Sequence, residues 1–242
     1  MKNMYEQLLN IAAALIRAWQ KLIKIRLPQK WRSFAVHRGK YWEAAGFVLT
    51  GWLCGLLIAL AGGVIQMLFN RMTGAFVFAL FAWLFMLFHD HGRGDGLIAA
   101  HLSKLLPGEI IPFNIVVPVF MMILKFAVLM TIFYNGNALF FALAAAGTFA
   151  FEALLIVGAD FSPPVIDFSE RARKRFLLTV ILVILLSFWQ AKLATVFGVL
   201  AFAVFWKFAN ERSLERGLTA DDIRCSGAAI SWILLLSGML AI

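Results

Sequence analysis

The densest chemistry in the chain is the stretch Phe88-His89-Asp90-His91-Gly92-Arg93-Gly94-Asp95-Gly96. Two imidazoles and two carboxylates follow one another closely there, and the glycines let the backbone turn sharply and approach a ligand. Carboxylates suit Mg²⁺, which takes oxygen ligands and usually bridges to substrate phosphates. Imidazoles favour zinc, or acid–base work on a nearby hydroxyl. The plainer alternative is a polar helix end capped by its own side chains. A second acidic group is Gly217-Leu218-Thr219-Ala220-Asp221-Asp222. Asp221 and Asp222 either open a helix, where capping and the dipole favour negative charge, or complete a cation site with the first group. Arg171, Arg173, Lys174 and Arg175 form a basic run after Asp160-Phe161-Ser162-Pro163-Pro164. Arginines there could grip phosphate oxygens in bidentate fashion, or simply anchor the loop at a membrane face.

These residues must be held by membrane helices. Of the 242 residues, 62% are hydrophobic and 14% charged, and the mean hydropathy is +0.86. No soluble domain of this length tolerates that much apolar surface. Backbone groups in lipid must be satisfied internally, which leaves helices or a closed barrel. The apolar runs are continuous rather than alternating, which excludes a barrel. The expected fold class is all-α: a single polytopic transmembrane bundle over residues 1–242, preceded within it by an amphipathic, basic N-terminal segment, 1–44. The runs lie at about 45–69, 73–88, 110–134, 138–158, 176–189, 193–206 and 226–242, giving about seven spans. Residues 176–206 could instead form one long helix, for a total of six.

Charge supports seven. All 22 basic residues except Arg71, Lys192 and Lys125 fall in 1–44, 89–109, 159–175 and 207–225, the segments that seven spans place on one side. Of the 13 carboxylates only Glu152 falls within a run. The Lys/Arg bias sets orientation, so that side is expected to be cytoplasmic. Acidic residues do not set topology, so their gathering on the same side points to a working site there. The basic balance needs no nucleic-acid partner, and no basic–aromatic module for one is evident. Cys54 and Cys225 make no disulfide framework, and no cleavable signal peptide is visible.

Residues 4–26 read as an interfacial helix with an apolar stripe of Leu8, Ile11, Ala12, Leu15, Trp19, Leu22 and Ile23. Gly51 and Gly55 form a small-xxx-small pair that permits close helix contact, and the alanine-rich fourth run should be central. Lys125 and Glu152 are costly in lipid and should face protein or water. A helix starting at Ile110 puts Lys125 about 22 Å deep at 1.5 Å per residue. A helix starting near Val119, after Pro112 and Pro118, puts both residues about 9 Å deep and allows a Lys–Glu contact.

Several landmarks together resemble the cobalamin synthase family, the adenosylcobinamide-GDP ribazoletransferases. They are Arg26-Leu27-Pro28 after the first helix and the glycine-rich run Gly46 to Gly63. With them stand the His89-Asp90-His91-Gly92-Arg93-Gly94-Asp95 motif, Lys125 inside the third span, and Gly217-Leu218-Thr219-Ala220-Asp221 before the last helix. The likeness runs nearly end to end. It departs where His91 stands in place of an aspartate, where no further Asp-Gly follows Asp95, where Leu106 to Ile110 lack the family's Arg-Asp-Ser signature, and where the last helix lacks internal carboxylates.

The resemblance implies an Mg²⁺-dependent transferase in the inner membrane of a bacterial or archaeal cell. It joins a nucleotide-activated corrinoid to α-ribazole or its phosphate with release of GMP, in cobalamin biosynthesis. Asp90, His91, Asp95, Asp221 and Asp222 would hold the ion from the cytoplasmic side. His89, His91, Asp95 and Lys125 would be catalytic, with His89 or His91 as base, and Arg93, Arg171 and Arg173 would bind substrate. The partners expected are the lipid bilayer and those substrates, with a second copy of the chain or other pathway enzymes alongside. The departures leave open a relative that has lost activity and serves as a membrane scaffold. A small-molecule transporter using Lys125 and Glu152 is the third alternative.

Overall fold

The computed structural model describes residues 2–22, 27–36, 38–90, 93–105, 113–158, 166, 168–186, 196, 199–200, 203, 207 and 219–240. Every regular element among them is a helix, so the protein is an all-α bundle. The helices are α1 (Lys2–Leu22), α2 (Gln29–Val36), α3 (Glu43–Leu68), α4 (Arg71–Asp90), α5 (Arg93–Leu105), α6 (Phe113–Tyr134) and α7 (Phe140–Gly158). They are followed by α8 (170–186) and α9 (Ala220–Leu240).

Among the described residues four helices are long and apolar enough to cross a membrane: Lys40–Leu68, Arg71–His89, Val116–Tyr134 and Phe140–Val157. The sequence reading expected about seven, and the difference has two sources. Helix α9 is long enough, but Asp221, Asp222, Arg224 and three serines make it less apolar. The expected fifth and sixth spans meet at 190–192, which lies outside the described residues.

Helix α7 is the centre of the bundle. Of its span, 78% is buried, against 28–33% in the other three. Alanine and glycine make this possible, because small side chains let helix backbones approach. A Cβ on Gly51 would fall 2.6 Å from the Ala145 carbonyl oxygen, and one on Gly55 would overlap Ala142. Helix α7 packs on α3 along this seam and on α9 along another face. Helix α4 is flanked by α3 and α6, and α5 lies against α6 and α9. Phe78, Phe85, Phe141 and Phe149 interlock edge to face or tilted between α4 and α7.

Helix α1 lies against α3 with a face of small residues that shares Leu22 with the apolar stripe read for the membrane surface. Ala13, Ala14, Ala18 and Leu22 are buried, while Leu8 is exposed beside Met4 and Tyr5. The small face wins because Gly46 of α3 sits directly on the Ala14 backbone, where a leucine could not fit. Polar ties fix the docking. Arg17 donates to the Ala35 and Val36 carbonyls, each at 2.6 Å. Lys21 pairs with the buried Glu43 at 2.5 Å. Gly39, at φ 76°, takes a left-handed conformation beside Asn10 that glycine adopts without strain.

Candidate functional site

Helix α4 carries His89 on its last turn, and the start of α5 carries Asp95. Helix α6 is described from Phe113 with Pro118 inside it, so the start near Val119 is not realised, and Ile110 lies outside the described residues. Lys125 sits twelve residues, about 18 Å, along the helix from Phe113. It is 3% exposed. Helices α5 and α6 lie side by side, with Asp95 opposite Lys125. The Lys125 ammonium donates to both Asp95 oxygens, at 2.7 and 3.0 Å. The Trp232 indole N–H of α9 donates to the same carboxylate at 2.9 Å. The ammonium also lies 5.3 Å from the Trp232 ring centroid, within cation–π range.

Glu152 does not pair with Lys125. Its carboxylate meets His89 Nε2 at 2.8 Å, while His89 Nδ1 meets the Leu22 carbonyl oxygen at 3.0 Å. The imidazole also lies 4.5 Å, ring to ring, from Phe149. A carbonyl oxygen can only accept, so Nδ1 carries a hydrogen. The contact of Nε2 with Glu152 then needs a second proton, shared as imidazolium and carboxylate or as imidazole and carboxylic acid. The resting pair is thus a proton donor, and it becomes a base only after giving that proton up. Gly227 of α9 faces Glu152 so closely that a Cβ there would overlap the carboxylate.

The His89–Glu152 pair and Lys125 border one cavity. Its volume in the resting protein is about 30 Å³, room for a few water molecules. His89, Lys125 and Glu152 line it together with Phe85, Phe141, Phe149 and Ser231. Thr148 also faces it, but its hydroxyl donates back to the Ala144 carbonyl. The arrangement offers a fixed cation and a transferable proton inside an otherwise apolar wall.

The remaining sequence candidates fall elsewhere. Asp222 caps α9: it accepts from the Thr219 N–H at 3.0 Å and hydroxyl at 2.7 Å, and its own N–H donates to the Thr219 hydroxyl at 3.2 Å. That reciprocal pattern is a capping box with aspartate in the glutamate position. Asp221 pairs with Arg224 at 3.2 Å. Asp95 meets α9 at Trp232, ten residues or about 15 Å along the helix from Asp222. Arg93, Arg171 and Arg173 are exposed and lie outside the cavity wall. His91 lies outside the described residues, and Asp90 is described by its backbone alone. Among the described residues no three of His, Cys, Asp and Glu gather as metal ligands. The described part of the expected Mg²⁺ set therefore does not fit the ion, since Asp95, Asp221 and Asp222 are separated and engaged with protein donors. Sequence reasoning singled out Glu152 as the lone carboxylate inside an apolar run but gave it a role only as a partner of Lys125 or in transport, and nothing in the sequence marks Trp232 as a site residue.

Comparison with protein-family models, with curated proteins and with solved structures finds no match.

Proposed function

We propose that the chain is a membrane-embedded transferase of phosphorus-containing groups, working from the cavity between α4, α6, α7 and α9. The observation that supports this is the lining of one cavity by both the proton-bearing His89–Glu152 pair and the buried Lys125 ammonium. Displacement at an activated diphosphate needs positive charge against the phosphate oxygens and a group that carries a proton. In line with the family resemblance, the donor is a nucleotide-activated corrinoid and the acceptor is α-ribazole or its phosphate. The acceptor hydroxyl oxygen bonds to phosphorus and the bond from phosphorus to the GMP oxygen breaks. The His89–Glu152 pair passes its proton to the departing phosphate and takes the hydroxyl proton in exchange. Lys125 neutralises charge on the phosphate, the role that the sequence alone would give to Mg²⁺. The resting cavity, about 30 Å³, holds only water, so it must widen to take the reacting ends of such substrates. Their bulk would stay at the charged end, near the exposed Arg93, Arg171 and Arg173. By the positive-inside rule that end faces the cytoplasm of a bacterial or archaeal cell.

The test is GMP release by membranes containing the chain, given adenosylcobinamide-GDP and α-ribazole, with Mg²⁺ or with a chelator. Release is expected from the intact protein and is lost in Glu152→Gln and Lys125→Met. No GMP from a folded, membrane-inserted chain under either condition ends the reading.

A second reading, a proton-linked small-molecule carrier, has its own support. Lys125 and Glu152 lie within otherwise apolar helices, where ionisable groups often mark transport paths. Substrate-dependent proton uptake into liposomes, abolished by Glu152→Gln, would favour it over the transferase.

A further inference from the structure

We propose that Lys125 and Trp232 form a binding position for an oxyanion, a phosphate or phosphate ester, which Asp95 occupies in the resting protein. Two donors converge there, the Lys125 ammonium and the Trp232 indole N–H, and both are spent on one carboxylate. The two sides of this contact differ in kind. Both donors are buried and stand inside the long helices α6 and α9. The acceptor is on the first turn of the short helix α5, between Gly94 and Gly96, with its side chain 21% exposed. A Cβ on Gly96 would meet nothing within 4 Å, so that turn has open space beside it. A rigid pair of donors holding an anion from a glycine-flanked turn is the geometry of an exchangeable occupant.

Lys125 also lines the cavity and Trp232 does not, so an anion entering as the cavity widens meets the ammonium first and the indole N–H only as Asp95 leaves. Arrival of a substrate phosphate would then release Asp95 and, with it, the start of α5. Until that moment the buried cation is neutralised, which matters because an uncompensated charge inside a bundle is strongly destabilising. Identifying the anion with the transferred phosphate rests on the transferase reading. The anion position itself does not.

The experiment is thermal unfolding of the full chain in neutral detergent, titrated with inorganic phosphate at constant ionic strength. Asp95→Ala should unfold at lower temperature than the intact protein and recover with phosphate in a saturable way. The intact protein should need about tenfold more phosphate for half its response, because its competent state is only partly populated. Asp95→Ala/Lys125→Met removes both charges and should fold without responding. A parallel series in phosphatidylcholine nanodiscs, with or without phosphatidic acid, separates the two sources of the anion. Rescue there assigns a lipid phosphate, and rescue by soluble phosphate alone assigns a soluble ester. An Asp95→Ala protein that responds to neither, or a double variant that responds equally, overturns the proposal. Absence of GMP release alongside intact phosphate rescue would defeat the transferase reading and leave the anion position standing.

Discussion

Along one face of α7, Ala142 and Ala145 press on Gly55 and Gly51 of α3; along another, Glu152 presses on Gly227 of α9. Both contacts rely on a missing side chain. In the first seam glycine brings two backbones together and nothing polar is involved. In the second it makes room for a carboxylate that must reach His89 across the bundle. Close approach is therefore used once for cohesion and once to seat an ionisable group, and the two uses should respond differently to substitution.

The largest effect is expected at the polar contact. Glu152→Ala removes the carboxylate that meets His89 Nε2 inside the bundle and should cost about 3–5 kcal/mol, read by unfolding in mixed micelles. An unchanged unfolding midpoint would mean that the pair is solvated in the membrane. Gly55→Val tests the apolar seam. It should cost about 1–3 kcal/mol through overpacking, with catalytic rate per folded molecule unaltered. Gly227→Ala sharpens the contrast. Its stability loss should be smaller, about 1–2 kcal/mol, yet a carboxylate displaced by an ångström could lower activity about a hundredfold. If Gly55→Val and Gly227→Ala lose activity in equal proportion to stability, the distinction between the seams fails. Away from both, Thr219→Ala removes the cap of α9 and should cost about 1 kcal/mol. Glu170→Ala breaks only the exposed pair with Lys174, at 2.7 Å, and should change stability by less than about 0.5 kcal/mol.

The helices were legible because lipid imposes one requirement on every turn of a span. The runs at 45–69, 73–88, 110–134 and 138–158 reappear within a few residues as α3, α4, α6 and α7. Asp221 and Asp222 announced the start of α9 by the same local logic, since a cap bonds within its own turn, as Asp222 does with Thr219. Local logic stopped at the site. The depth of Lys125 depended on where α6 begins, and Pro118 proved compatible with helix. Its partner depended on how α5 lies against α6, which no spacing encodes. The docking face of α1 was hidden for a related reason. Hydrophobicity marks the stripe through Leu8, but the contact with α3 selects for smallness, Ala14 against Gly46. Trp232 gave no sign, because an indole in an apolar run reads as packing until an acceptor stands beside its N–H.

His89 holds the last carbonyl of α1. Those two residues are 67 positions apart, and the glutamate completing the contact lies 63 further on. During synthesis α1 precedes both partners. Lys21 can reach Glu43 as soon as α3 begins, but the Leu22 carbonyl must wait for His89, and that imidazole for α7. The contact at the end of α1 thus closes only when the centre of the bundle is in place.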